Sequence, residues 1–186
     1  MKRNQTIYRL VYTGLFSALI FIGTFIFKVP TGIGYIHLGD GFIYIAAMML
    51  PLPYAMVAAA IGGGLADLIA GYAIWIPATV VIKALSPLLF SSMVRKLLCF
   101  RNIMAMAFGA FVNIVGYYLY GSLIQGNFIA CLAEIPLNFV QEGAACVFFV
   151  AVAISFDLAP RLRSIISRQT LNQTDVFVDE KAKLKK

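Results

Sequence analysis

LVYTGLFSALIFIGTFIF, residues 10–27, contains no charged side chain. Its length approaches the roughly 20 apolar residues that cross a bilayer as a helix. Basic residues precede it, as they do in a signal peptide, but the apolar run is long for one. No small-residue cleavage site follows at Phe27-Lys28-Val29-Pro30. We therefore expect a retained membrane span.

The composition of the whole chain also indicates a membrane protein. Of its 186 residues, 61% are hydrophobic and 12% are charged, about half the charged fraction of an ordinary soluble domain. Further apolar segments occupy residues 41–50, 54–70, 76–94, 103–123 and 135–158. We predict an all-α integral membrane protein. Residues 1–160 would form one domain, a bundle of six transmembrane helices, and residues 161–186 a basic cytoplasmic tail.

The distribution of positive charge predicts the orientation of this bundle. When the six segments are threaded through a bilayer in order, thirteen of the fifteen Lys and Arg residues fall on one side. Only Lys28 falls on the other side, and only Lys83 lies within a span. Because positive charge resists translocation, both termini are predicted to be cytoplasmic. The same rule accounts for the net charge of +7, so nucleic acid is not an expected partner.

The charged and amide side chains within the spans lie in their outer or middle parts. Each costs about 2.5–3.5 kcal/mol at the centre of a span and needs a partner or a water-filled cavity. The inner halves contain little that is polar beyond Ser86, Ser91 and Ser92. A chamber that is polar outside and sealed inside predicts a receptor for a small external solute, since a channel needs polar groups throughout. The polar residues concerned are Asp67, Lys83, Asn113, Asn138, Gln141 and Glu142, with Tyr117 one turn above Asn113.

Some of these residues have two interpretations. Asp67 and Lys83 could neutralise each other between the third and fourth spans, or Lys83 could be free for a ligand. Trp75 could anchor the chain at the membrane interface or cover the pocket, whereas Tyr117 could belong to an aromatic belt at that interface or stack on a ligand. In the first outer loop His37 and Asp40 could bond to each other in a lid. Alternatively, Asp40 caps the second helix, which we favour.

Small residues mark two packing faces. The segment 54–70 is dense in Gly and Ala, which lets helix backbones approach closely in lipid. In the first span Gly14 and Ala18 form a small-xxx-small stripe. This stripe either packs within the chain or docks on a separate membrane partner.

Other functional classes are less favoured. An intramembrane enzyme using Asp40, Asp67 and His37 would lack a second histidine and a nucleophile–base pair, so no catalytic or metal-binding residues are predicted. The chain has no GxxxxGK[ST] phosphate loop, so it is not expected to hydrolyse ATP itself. A stand-alone small-solute permease is the main alternative, although such proteins usually contain two related halves and none is visible here.

Five short motifs carry a resemblance to a known family. They are IHLGD at 36–40, LADLIAGY at 65–72, WIPAT at 75–79, VIK at 81–83 and IPLNFVQ at 135–141. In this order and spacing, over residues 10–158, the chain resembles the substrate-binding S component of energy-coupling factor (ECF) vitamin transporters.

The resemblance implies a non-enzymatic, high-affinity vitamin-binding subunit with six helices in a bacterial cell membrane. It implies that Gly14 and Ala18 dock on a transmembrane coupling (T) subunit, with Gly where Ala is commoner. Two ATP-binding-cassette ATPase subunits would use the ATP, and this chain would carry no cofactor. Lys83, Asn138 and Gln141 suggest a pyridoxine or hydroxymethylpyrimidine-type ligand, with pantothenate next, while Glu142 departs from the family pattern.

Under this hypothesis each candidate residue has a role. The hydrogen bonds to the ligand would come from Lys83, Asn113, Asn138 and Gln141. Ring contacts would come from Trp75 and Tyr117, and the segment 37–40 would act as a lid. Asp67 and Glu142 complete the predicted site.

Overall fold

A computed structural model describes residues 2–31, 34–90 and 97–158. In these ranges the chain forms seven α-helices and one short β-hairpin: α1 (Lys2–Phe25), β1 (Val29–Pro30), β2 (Tyr35–Ile36), α2 (Gly39–Met49), α3 (Leu52–Ala70), a 3-10 turn (Ala73–Trp75), α4 (Ile76–Leu85), α5 (Phe100–Gln125), α6 (Phe128–Cys131) and α7 (Glu134–Leu158). The predicted tail at 161–186 lies outside the described residues, as do Ser91, Ser92, Arg95 and Lys96.

The helices have the lengths and surfaces of membrane helices. Four stretches are long and apolar enough to cross a bilayer: Gln5–Phe25, Leu52–Ala70, Phe100–Gln125 and Phe128–Leu158. Gly39–Met49 and Ala73–Leu85 are apolar but shorter. Large apolar side chains lie exposed on the outer faces, including Val11 at 63% and Val147 at 71%. Such faces are typical of helices that contact lipid, and they confirm the helical membrane class.

The structure shortens the fourth predicted span. The span was expected to reach residue 94, but α4 ends at Leu85 and the next residues form turns. Pro87 accounts for this end because it has no N–H to donate to the carbonyl of Lys83 and its ring would clash with that turn. The 11 residues of α2 rise about 16 Å, in agreement with a short second span that stops before Pro51.

The small residues of α3 let α1 and α4 pack closely on its two sides, as predicted. A Cβ added at Gly62 would lie 2.7 Å from the carbonyl oxygen of Ser17 on α1. A Cβ at Gly63 would lie 3.0 Å from Thr79 and 3.2 Å from Lys83 on α4. Gly63 therefore makes the room in which the long Lys83 side chain lies.

Within the described residues, ring packing and hydrogen bonds hold together the end of the bundle that contains the start of α1 and the end of α7. Tyr44, Phe90 and Phe149 pack ring to ring in the core, with centroids 5.3–6.1 Å apart. The carboxylate of Asp157 accepts hydrogen bonds from the backbone N–H groups of Leu97 and Leu98, both at 3.0 Å. Asn102 donates to the carbonyl of Leu97 at 2.9 Å. These contacts tie the segment before α5 to the end of α7.

Candidate substrate-binding site

A cavity lies at the opposite end of the bundle, where α3, α5 and the hairpin meet the starts of α4 and α7. Counting its open mouth, it contains about 580 Å³ of space between protein atoms. Its wall combines ring faces with a few polar groups. The lining residues are Gly34, Tyr35, His37, Asp67, Trp75, Thr79, Tyr117, Tyr118, Gly121, Gln125, Cys131, Glu134, Asn138 and Gln141.

One side of the cavity is aromatic. Trp75, at the end of the 3-10 turn, lies with its ring centroid 6.0 Å from Tyr117 and 5.7 Å from Tyr120. The hydroxyl groups of Tyr117 and Thr79 share a hydrogen bond of 3.0 Å, and Tyr120 donates to the carbonyl of Ile74 at 2.8 Å. These contacts hold Trp75 and Tyr117 in place, so a flat ring could stack on preformed faces.

The wall also contains two carboxylates. Asp67, near the end of α3, is 4% exposed and accepts a hydrogen bond from the Tyr35 hydroxyl at 2.5 Å. Its second oxygen, Oδ2, has no partner among the described residues. Glu134, at the start of α7, accepts a longer bond of 3.3 Å from Thr31. Both carboxylates therefore keep the capacity to accept more hydrogen bonds.

The hairpin covers the cavity and is held from several sides. Besides the bonds of Tyr35 and Thr31, the hydroxyl of Tyr72 donates to the carbonyl of Gly34 at 3.4 Å. The backbone N–H of His37 donates to the side-chain oxygen of Gln141 at 3.1 Å. The residues that line the cavity thus also hold its cover.

Two ionisable groups of this cover have displaced pKa values. Burial, together with the neighbouring Asp67 carboxylate, raises the pKa of the Tyr35 phenol well above its usual range. Burial lowers the pKa of His37 to about 4, against the pull of Asp40 in the other direction. His37 is therefore neutral near pH 7. Its Nδ1 accepts a bond from the N–H of Gly39 at 3.1 Å, which leaves the ring proton on Nε2.

Beneath the cavity lies a buried floor, which we define as Asp40, Lys83 and Asn113; Gln141 joins this floor to the cavity wall. The ammonium of Lys83 donates to Asp40 at 2.6 Å and to Asn113 at 2.8 Å. The amide of Gln141 donates to the other oxygen of Asp40 at 2.8 Å. Asp40, Lys83 and Asn113 are at most 1% exposed. Each charge of the floor is thus paired and hydrogen-bonded, as a buried charge requires.

Glu142 lies next to this floor and adds a second buried carboxyl group. It is 2% exposed and accepts a bond from the Tyr44 hydroxyl at 2.6 Å. Its Oε1 has no partner among the described residues. Glu142 anchors the aromatic core to the floor, since Tyr44 contacts both Phe90 and Phe149.

Comparison with protein families identifies the chain. A family model described as "ECF-type riboflavin transporter, S component" matches residues 4–157. The chain belongs to this family. It is therefore a membrane vitamin-binding subunit of a transporter, and the family is not one of enzymes.

A solved structure of the S component of a bacterial ECF transporter has the same fold. It is 18% identical to this S component, with a TM-score of 0.60 over 79% of this chain and 94% of that one. At this identity the likeness concerns the fold alone. No curated protein sequence matches the chain.

The structure places the ten candidate residues of this S component in two groups. Six of them line the cavity, and four lie beneath it. The lining group consists of His37, Asp67, Trp75, Tyr117, Asn138 and Gln141. The buried group consists of Asp40, Lys83, Asn113 and Glu142.

Two expectations about Asp40 and one about Lys83 are wrong. Asp40 does not cap α2, because the cap position is Leu38 and no side chain bonds there. It does not bond to His37 either, since the closest approach is 3.8 Å. Lys83 pairs with Asp40 at 2.6 Å and not with Asp67. Burial explains all three outcomes, because a buried carboxylate gains most from an opposite charge.

Sequence reasoning missed eight of the fourteen lining residues of the S component. Three of these make the hydrogen bonds described above: Tyr35, Thr79 and Glu134. Two of them carried a signal. Thr79 lies four residues before Lys83 on the same helix face, and Glu134 lies four residues before Asn138. Tyr35 lies in the hairpin, where no helical period could point to it.

The small stripe of α1 faces outward. Gly14 and Ala18 are both exposed, and a Cβ added at Gly14 would meet nothing within 4 Å. On the inner face of α1, Thr13 and Ser17 bond to carbonyls one turn earlier, at 2.8 and 2.9 Å. The packing of Gly14 against this chain's own helices is therefore excluded within the described residues.

Proposed function

We propose that this chain is the substrate-binding subunit for ATP-driven uptake of a small, uncharged, ring-containing vitamin. The observation that carries the proposal is the cavity above a paired floor. Ring faces and convergent polar groups suit a bound solute. A floor whose charges already satisfy one another supports binding without conduction.

Riboflavin is the ligand that we place first. The family model carries its name, and Tyr35, Trp75 and Tyr117 offer enough ring surface for a fused ring system. Pyridoxine or a hydroxymethylpyrimidine-type compound stands second, because a single six-membered ring would contact less of this ring surface. Pantothenate stands last, since the ammonium that would hold its carboxylate is bound to Asp40.

We propose six membrane crossings with both termini in the cytoplasm of a bacterial cell. Positive charge supports this orientation, and the short helices α2 and α4 would be the two incomplete crossings. The cavity then opens to the outside, and its floor lies about 10 Å deep, at Lys83, seven residues after α4 begins. A reporter that is active only in the cytoplasm, fused after Lys186, should be active.

The partners in this proposal are a T subunit and two ATPase subunits. The exposed stripe at Gly14 and Ala18 supports docking on the T subunit, because small residues let two helices approach closely in lipid. Gly14→Leu should abolish co-purification with the T subunit and leave vitamin binding by the isolated chain unchanged. Gly143→Leu is the matched control, since Gly143 is also an exposed helical glycine with open space around it.

Vitamin binding can be tested on the purified chain, because Trp75 is the only tryptophan of the sequence and lies in the cavity wall. Riboflavin should quench the fluorescence of Trp75 in a saturable titration, with free tryptophan amide as the control for absorption of light by the vitamin. Riboflavin should also raise the melting temperature, since a ligand stabilises by RT ln(1 + [L]/Kd). Pyridoxine and pantothenate are titrated in parallel.

Two results would count against the proposal. If none of these vitamins bound saturably, the proposal that the chain binds a vitamin would be rejected. Sustained uptake by vesicles that contain this chain alone would favour a stand-alone permease.

A further inference from the structure

The charged side chains in the cavity wall are all acidic. Among the lining residues, Asp67 and Glu134 are carboxylates, and none is a lysine or arginine within the described part of the chain. His37 also lines the wall, but burial keeps its imidazole neutral. The wall therefore presents negative charge and hydrogen-bond acceptors to a ligand.

The nearby cations do not offset this charge. Lys83 is 1% exposed and is bound to Asp40 at 2.6 Å and to Asn113 at 2.8 Å, so its charge is already balanced within the floor. Lys28, in the connection after α1, stands over the ring of Phe25 at 4.2 Å and is absent from the cavity lining.

The two wall carboxylates have unused acceptor capacity. Asp67 Oδ2 is buried without a partner among the described residues, while its other oxygen is held by Tyr35 on the cover. Glu134 is held only by the 3.3 Å bond from Thr31. A ligand can satisfy such groups by supplying N–H or O–H donors. A ligand phosphate or carboxylate would instead meet two like charges in a site partly withdrawn from water.

We propose that Asp67 and Glu134 are specificity-determining residues that make the cavity select against anions. On this proposal, which rests on the proposed vitamin-binding function, the site takes a neutral or cationic ring compound with hydrogen-bond donors. It rejects the phosphate ester of the same compound. Glu134 acts at the mouth of the cavity and Asp67 acts deeper, behind the Tyr35 hydroxyl. Like charges about 6 Å apart at a partly exposed site weaken binding by roughly 10-fold to 100-fold.

The test compares the affinities of riboflavin and riboflavin 5′-phosphate for the full chain, by quenching of Trp75 and by calorimetry. The ratio of the two dissociation constants is the quantity of interest. The phosphate ester should bind at least about 10-fold more weakly at low salt, and added NaCl should narrow the gap because salt screens charge. A neutral acetate ester of the same hydroxyl controls for size, and it should not show this salt dependence.

Variants then assign the effect to residues. Glu134→Gln and Asp67→Asn should each reduce the ratio by roughly 3-fold to 10-fold, mainly because the phosphate ester binds better. Glu180→Gln makes the same chemical change in the C-terminal segment and should leave the ratio unchanged. If Asp67→Asn fails to fold, Glu134→Gln alone still tests the proposal.

Each outcome has a distinct meaning. A salt-dependent ratio that falls in the two wall variants supports the proposal. Equal affinities for the two flavins, or a ratio that both wall variants leave unchanged, would overturn anion selection while vitamin binding stands. If no flavin, pyridoxine or hydroxymethylpyrimidine binds, the proposed function fails, and anion selection fails with it.

Discussion

The floor and the wall of the cavity use the same kinds of polar side chain in opposite ways. In the floor, the carboxylate of Asp40 accepts hydrogen bonds from Lys83 at 2.6 Å and from the wall residue Gln141 at 2.8 Å, and Asp40 and Lys83 are almost fully buried. In the wall, the carboxylate of Asp67 receives one bond and leaves Oδ2 free among the described residues. Charges that satisfy one another stabilise a fold, whereas charges with unused capacity can recognise a ligand.

The comparison predicts that floor substitutions act on folding and that wall substitutions act on affinity. Burial within the bundle does not by itself identify a binding residue. Lys83 lies eight residues beyond Trp75 along α4 and is almost fully buried, yet its hydrogen-bond partners belong to the protein.

The largest effect is expected for Lys83→Ala. Removal of the ammonium leaves Asp40 buried without its counter-charge, which costs about 3–5 kcal/mol of unfolding free energy. The melting temperature of the purified protein, without ligand, measures this loss. Lys28→Ala is the control, because Lys28 is partly exposed and, among the described residues, its ammonium stands over the ring of Phe25, a contact that contributes about 1 kcal/mol or less.

A double variant makes the floor prediction sharper. Asp40→Asn combined with Lys83→Met removes both charges and should recover part of the lost stability, because no unpaired charge remains. If Lys83→Ala melted like the wild type and weakened only ligand binding, Lys83 would belong with the wall, and the division between the two regions would be wrong.

Trp75→Ala should give the next largest effect, which is a loss of affinity for the ligand. Loss of a stacked ring at the centre of a site typically costs about 2 kcal/mol, or roughly 30-fold in the dissociation constant. Calorimetry measures the dissociation constant of this variant, since the variant lacks the fluorescent residue. Phe111→Ala is the control because Phe111 is a 62% exposed aromatic residue on the outer face of α5. Equal losses in both variants would argue against a specific ring contact at Trp75.

Measured per pH unit, the smallest effect is expected at His37, where the cover meets the floor. The pKa of His37 is about 4 in the folded chain and about 6.5 when unfolded. Between these values the unfolded chain binds more protons, so stability should fall as pH drops from about 6.5 to 4, by at most about 1.4 kcal/mol per pH unit. Melting temperatures across this range measure the slope.

His37→Asn isolates this effect from the other titrating groups. The amide oxygen of Asn can replace Nδ1 as acceptor for the N–H of Gly39, but the residue does not titrate. The variant should show a shallower dependence on pH below 6.5. An unchanged slope would assign the acid sensitivity to other carboxyl groups.

Much of the site could be read from periodicity along single helices. Asn138 and Gln141 were expected on one face of a helix because they are three residues apart, and both line the cavity. The end of α2 before Pro51 and the close packing at Gly62 and Gly63 also followed from local rules. The reach of α4 was overestimated because the effect of Pro87 on the helix was overlooked.

The ion-pair partner of Lys83 could not be predicted from helical periodicity. Asp40 and Asp67 were both within reach of a lysine at that depth, and two helices would have to be placed to decide between them. Glu134, Thr79 and Tyr35 became neighbours of one cavity only through the meeting of α7, α4 and the hairpin.

The sequence alone determined the membrane class, the helices and the polarity of one end, because bilayer thickness, helical period and the placement of positive charge act on local stretches of chain. Only the tertiary structure decided which polar groups hydrogen-bond to each other and which can still bind a ligand. Hydrogen bonds and ion pairs depend on differences of a few tenths of an ångström in the distance between side chains that are 27 to 103 residues apart in the sequence.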